Sequence, residues 1–145
     1  MDFAFKEYNV IVTGGTRGIG KAISEAFLKN GASVTATFFG NEKAAENFRQ
    51  TWLDFPLSVV KFDVSNYNET ELFFQKFDKE KKSLEVLVNN AGIRKDNVLG
   101  MMPYQDWNDV ISTNLTGTFN MSKFAVMKMM QNKFGRLEEL IEVGT

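Results

Sequence analysis

Thr13-Gly14-Gly15-Thr16-Arg17-Gly18-Ile19-Gly20 is the stretch whose reading decides the fold. It follows Asn9-Val10-Ile11-Val12, an apolar β-branched run, and opens onto Lys21-Ala22-Ile23-Ser24-Glu25-Ala26-Phe27-Leu28, whose apolar residues have helical spacing. Strand, glycine turn and helix in that order bring backbone N–H groups and the positive end of a helix to one point, which suits a phosphate. Gly14 is expected to permit the sharp turn, Gly18 to let a pyrophosphate approach the backbone, and Gly20 to let the helix pack on the sheet. A rival motif overlaps. Gly15 to Lys21 has the spacing of a triphosphate-binding P-loop as far as the lysine, but Ala22 stands where a Ser or Thr would hold Mg²⁺.

Composition narrows the field. The chain has 145 residues, enough for one domain with a real core. Its 17 basic and 18 acidic residues give a net charge of −1, so bulk charge points to neither nucleic acid nor membrane. With no Cys and no His, thiolate metal sites, disulfides and imidazole bases are excluded, and no metal site is predicted. The first residues do not make a signal peptide, and no apolar run approaches the roughly 20 residues of a membrane span. A cytoplasmic protein is the expectation.

Strands alternate with helices along the chain. The pattern predicts a strand at 9–13, a helix at 18–29 ended by Asn30-Gly31, a strand at 33–38 and a helix at 42–52. A strand at 57–62, a helix at 68–81 carrying Leu72, Phe73 and Phe77, and a strand at 84–89 follow. This alternation implies right-handed βαβ units: an α/β, doubly wound parallel sheet of strands one to four with helices on both faces and ligands at the strand carboxyl ends. Pro103 can start a short helix. A long helix over about 113–131 carries Phe119, Met121, Phe124, Met127, Met129 and Met130, read as core and subunit contact. Ile93, Met101 and Met102 are likewise expected to pack in the core rather than line an entrance. The tail is anomalous. Leu137, Leu140 and Ile141 sit at i, i+3 and i+4 with acids between them, which is helical spacing where a fifth strand belongs.

Four motifs together resemble the short-chain dehydrogenases/reductases over residues 5–136. The stretch Thr13 to Gly20 resembles that family's cofactor motif, Asp63-Val64 its adenine-contacting pair, and Asn89-Asn90-Ala91-Gly92 its NNAG motif. Asn114 matches the helix-borne asparagine of its catalytic tetrad. Gly18 to Ile23, Asn114 to Phe119 and Phe134-Gly135-Arg136 are most similar to bacterial 3-oxoacyl-acyl-carrier-protein reductases of fatty acid biosynthesis. The resemblance implies a Rossmann dinucleotide-binding domain, incomplete within residues 1–145. The implied cofactor contacts are Thr13, Gly14, Thr16, Arg17, Gly18, Ile19, Gly20, Thr37, Asp63, Val64, Asn90, Ala91 and Gly92. The implied substrate is a small or acyl-carrier-protein-bound ketone, and a homo-oligomer is a possible state.

Cofactor preference is read at the tip of the second strand. About 20 residues past the glycines, where an acid would bind ribose hydroxyls, stands Phe38-Phe39-Gly40-Asn41. Glu42 lies beyond the tip and is read as a helix start. Arg17 sits where NADP-preferring members carry a base, with Thr37, Asn41 and Lys43 as possible helpers and Lys43 better read as a solvated helix face. NADP (as NADPH) is expected over NAD.

The proton-transfer residues of the resemblance are missing. The family needs a Ser after strand five and a Tyr four residues before a Lys. Four residues after Tyr8, Tyr67 and Tyr104 come Val12, Glu71 and Asn108, and residues 137–142 contain no Ser. Only Asn114 of the tetrad is present, assigned by resemblance to holding a water in a proton relay. The expectation is a C-terminally truncated, inactive reductase, as a shifted reading frame or altered gene end would produce. The alternatives are a non-catalytic dinucleotide-binding fragment and a structural subunit pairing with an intact reductase. Without strand five, strand four would present an apolar edge, predicting a marginal fold alone or an oligomer.

Overall fold

The computed structural model describes residues 4–139. Its strands are β1 (Asn9–Val12), β2 (Ser33–Phe38), β3 (Leu57–Lys61), β4 (Val86–Asn89) and β5 (Arg136–Glu139). Its helices are α1 (Gly18–Lys29), α2 (Glu42–Thr51), α3 (Tyr67–Glu80), α4 (Tyr104–Ile111) and α5 (Gly117–Asn132). All strand pairings are parallel, in the order β3-β2-β1-β4-β5.

Side chains on one strand alternate between faces, so a strand buried on both sides feeds two cores. In β1, Ile11 enters one core, with Phe73, Phe74 and Phe77 of α3, Leu87 of β4 and Met121, Ala125 and Met129 of α5. Its neighbours Val10 and Val12 enter the other, with Leu28 of α1, Phe48 of α2, and Val34 and Ala36 of β2. The doubly wound layering thus follows from the β-branched run 10–12. Burying one such phenylalanine contributes about 1.5–3 kcal/mol.

Four expectations change. A fifth strand is present. Residues 136–139 pair with β4 in the register Val86↔Arg136 and Leu87↔Leu137, so the β4 edge is covered. Leu140 and Ile141, which completed the helical pattern, lie outside the described residues. Leu72 is 63% exposed, and Phe74 takes the buried position on α3. Along the long helix Met121 and Met129 are buried and Phe124 is half-buried, while Phe119, Met127 and Met130 face outward. That helix does not start as an α-helix. Ser112–Thr116 form a π-turn between α4 and α5. No helix among the described residues is long and apolar enough to cross a membrane.

Candidate active site

A cleft of about 600 Å³ opens at the carboxyl ends of β1 and β4, where the strand order reverses and an open α/β sheet receives ligands. Four loops and the π-turn line it. Gly14, Thr16, Arg17, Gly18 and Ile19 come from the β1–α1 loop, and Thr37 to Gly40 from the tip of β2. Phe62, Asp63 and Val64 follow β3, Asn90 to Ile93 follow β4, and Thr113 comes from the π-turn. Ile93, expected in the core, thus lines the cleft, and Met101 is exposed.

The glycine loop is shaped by two left-handed residues, Gly14 at φ 61° and Gly18 at φ 56°. A Cβ on Gly18 would meet nothing within 4 Å, so the backbone there faces open cleft. A Cβ on Gly20 would stand 2.1 Å from the Gly14 carbonyl oxygen and 2.3 Å from Asn90 Nδ2. Gly20 therefore packs α1 against the loop and Asn90, rather than on the sheet as expected. Gly15, which the sequence reading did not single out, is equally confined. Its Cβ would stand 2.7 Å from the Val12 carbonyl oxygen, and the Gly15 carbonyl accepts from the buried Ser24 hydroxyl at 2.9 Å.

Helix α1 begins without a side-chain cap, whereas Asn41 caps α2 and Asn66 caps α3. First-turn N–H groups have no partner within their own helix. On α1 they are joined to an open glycine backbone on the wall of the cleft, and the first turn holds no acid to repel an anion. Donors, helix polarity and open space together fit a bound pyrophosphate.

Thr13 and Asn90 join the β1 and β4 loops. The buried Thr13 hydroxyl oxygen accepts from the backbone N–H groups of Asn90 (3.0 Å) and Ala91 (2.9 Å). Asn90 Nδ2 donates back to the carbonyls of Thr13 and Gly14, both at 3.0 Å. Asn89, also buried, donates to the Ser122 hydroxyl and ties β4 to α5. Thr13 and Gly20 do not line the cleft. They fix its walls, while Asn90, Ala91 and Gly92 form one of them.

At the β2 end, Thr37 is buried on the cleft wall and its carbonyl accepts from the Gly15 N–H at 3.1 Å. Asn41 is committed elsewhere: at φ 56°, its side chain accepts from the Ala44 N–H. Lys43 is exposed and away from the cleft. Arg17 is exposed on the rim, with no carboxylate within ion-pair distance among the described residues. Asp63 is held by its own loop. Its carboxylate accepts from the Ser65 N–H and hydroxyl, and its N–H donates to Glu69. The Val64 carbonyl accepts from buried Asn120.

Asn114 sits within the π-turn. Its side chain clasps the Ile93 backbone, accepting from the N–H at 2.8 Å and donating to the carbonyl at 3.0 Å. The turn's position beside the cleft has a packing cause, because a Cβ on Gly117 would stand 2.6 Å from Val64 Cγ2. Among the described residues, no tyrosine lines the cleft. A Tyr–Lys pair does exist, with Lys123 donating to the Tyr67 hydroxyl at 2.8 Å, but it lies between α3 and α5 on the outer surface.

The chain is similar to known proteins. The family model described as short chain dehydrogenase matches residues 8–138. An acetoacetyl-CoA reductase of Shinella zoogloeoides is 41% identical over 134 residues, 92% of this chain and 54% of its own length. A 3-oxoacyl-acyl-carrier-protein reductase of Escherichia coli is 37% identical over 130 residues, 88% of this chain and 51% of its own. The crystal structure of a putative gluconate dehydrogenase from Agrobacterium tumefaciens superposes with a TM-score of 0.87 at 28% identity, covering 96% of this chain and 55% of that one. The chain thus spans about half the length of the curated relatives it matches. By the family match, the chain belongs to the short-chain dehydrogenase family.

Proposed function

We propose that these 145 residues are the NADP-binding region of a cytoplasmic carbonyl reductase that acts on 3-ketoacyl thioesters. One observation carries the reading: the uncapped start of α1, joined to an open glycine backbone, faces a cleft at the sheet's switch point. Gly14, Thr16, Gly18 and Ile19 would hold the pyrophosphate, Asp63 and Val64 the adenine, and Asn90, Ala91 and Gly92 the ribose side. Arg17, free of any carboxylate among the described residues, and the acid-free tip Phe38-Phe39-Gly40 favour a 2′-phosphate. When bound, NADPH supplies a hydride. The acyl-thioester substrate is suggested by the acetoacetyl-CoA and 3-oxoacyl-acyl-carrier-protein reductases among the relatives.

Asn114 would not present its amide to the cleft. Both ends of that amide are occupied by Ile93, so what it offers a proton relay is the backbone of its π-turn. The described cleft holds no tyrosine to donate a proton, and no tyrosine in the sequence precedes a lysine by four. The purified 145-residue chain should therefore bind NADP without oxidising NADPH in the presence of acetoacetyl-CoA. Turnover would refute the missing proton donor. Calorimetry with NADP and with adenosine 2′,5′-bisphosphate tests the site itself. If neither binds, the cofactor reading fails and a structural role, paired with an intact reductase, takes its place.

A further inference from the structure

Two charged residues stand close in sequence to residues that line the β2 end of the cleft, and they belong to none of the contacts above. Glu42 opens α2 two residues after Gly40, which lines the cleft. Lys61 ends β3 directly before Phe62 and Asp63, which also line it, and it is the register partner of Phe38. The Lys61 ammonium and the Glu42 carboxylate form a hydrogen-bonded ion pair across the gap between β3 and α2. First that hydrogen bond and then the ammonium charge hold the Glu42 carboxyl below the usual carboxylate range.

An acid at the end of the second strand selects the unphosphorylated ribose in dinucleotide sites. Glu42 is the first acid past that tip, and its backbone is fixed by the left-handed Asn41 cap. We infer that Lys61 is a specificity-determining residue for the cofactor, acting through Glu42: it neutralises the first carboxylate past the β2 tip and so keeps that end open to a 2′-phosphate. This inference rests on the dinucleotide reading above.

The pair is exposed, so its effect is bounded by solvent screening. Within a Debye length and at a near-aqueous dielectric, one uncompensated carboxylate facing a doubly charged phosphate changes affinity by about three- to tenfold.

The test is a calorimetric double-mutant cycle on the 145-residue chain with NADP and NAD as ligands, using Lys61→Met, Glu42→Gln and the double variant. Lys61→Met should weaken NADP about three- to tenfold while NAD is unchanged or tighter. The double variant should return to the wild-type ratio, and the loss should shrink in high salt. An unchanged NADP/NAD ratio in Lys61→Met overturns the inference. So does an equal loss of NADP affinity when Lys61 is replaced in the Glu42→Gln background, which would make Lys61 a direct phosphate ligand. Both results require a wild-type chain that binds; a wild-type chain that binds neither nucleotide overturns the cofactor reading and this inference with it. Thermal melts check folding, with Lys61→Gln as a second variant.

Discussion

Gly18 and Gly20 lie two residues apart and fail differently when substituted. Alanine at Gly20 forces a methyl to 2.1 Å from a backbone oxygen, which only movement of α1 can relieve. Gly20→Ala should therefore lose about 2–3 kcal/mol of stability, at the high end for a single substitution, along with nucleotide binding. Alanine at Gly18 meets no neighbour but must hold φ 56°, a cost of about 1–2 kcal/mol. Gly18→Ala should melt closer to wild type yet bind NADP poorly, because its methyl projects into the open cleft. Calorimetry beside thermal denaturation separates the two. Thr13 gives a third contrast. Thr13→Val keeps the shape but leaves two N–H groups without their acceptor, costing about 2 kcal/mol in denaturant titration, whereas Thr13→Ser keeps the oxygen. The sequence could rank these residues as a motif because the glycine spacing is local. It could not separate wall from lining: Thr13 meets Asn90 across 77 positions, and only the pairing of β1 with β4 brings them together.

At the scale of elements, Lys128 is the clearest case of a charge placed by packing. It sits on the buried side of α5 with its side chain 8% exposed, 3.3 Å from Asp78 of α3. Removing the partner leaves a nearly buried ammonium, so Asp78→Ala should cost about 1–2 kcal/mol, less than a fully buried pair because Asp78 is half exposed. Lys128→Met keeps the packing volume and should be close to neutral. Urea titrations of both variants decide it, and equal losses would show that packing rather than charge holds the helices. Most elements were readable because they are buried by regular periods: β1 and β4 as apolar runs, β2 with Val34, Ala36 and Phe38 alternating with Ser33, Thr35 and Thr37, and α1 and α3 by helically spaced apolar residues. β5 was not. It is four residues at the sheet's edge, with the paired Arg136 and Glu138 on one face and half-exposed Leu137 on the other. Its place is set by backbone pairing to β4, by the Arg136 N–H donating to the Glu85 carbonyl, and by Gly135, where any Cβ would strike Met129. None of these is a hydropathy signal. The π-turn at 112–116 was invisible for the same reason: an extra residue in a helix leaves the apolar pattern almost unchanged.

For the whole molecule, covering the β4 edge moves the question of self-association from strand to helix. Leu115, Phe119, Val126 and Met130 are exposed and spaced 4, 7 and 4 residues apart, one stripe running from the π-turn along α5. Exposed Trp107 and Tyr104 add apolar surface on α4. A near-neutral chain, with net charge −1, has little repulsion to oppose contact between two such faces. The isolated chain should therefore sediment as a dimer or larger, with a melting temperature that rises with protein concentration. Phe119→Glu with Met130→Glu places carboxylates on the stripe without touching either core or the cleft. That variant should become monomeric and keep its NADP affinity. A wild-type chain that stays monomeric and melts cooperatively at high temperature would show the stripe to be inert. Acid should act separately on the fold. The carboxyls of Glu42 and Glu46 are held below the usual range, first by hydrogen bonds from Lys61 and Gln50 respectively, so their contribution is present above the unfolded carboxylate range and lost as pH falls through the lower folded values. Both are exposed, so this loss is small. Dimer dissociation driven by the two introduced carboxylates would run the other way, with association recovering as acid neutralises them. Sedimentation of that double variant across the carboxylate range therefore distinguishes a charge-blocked helix interface from an unfolding one.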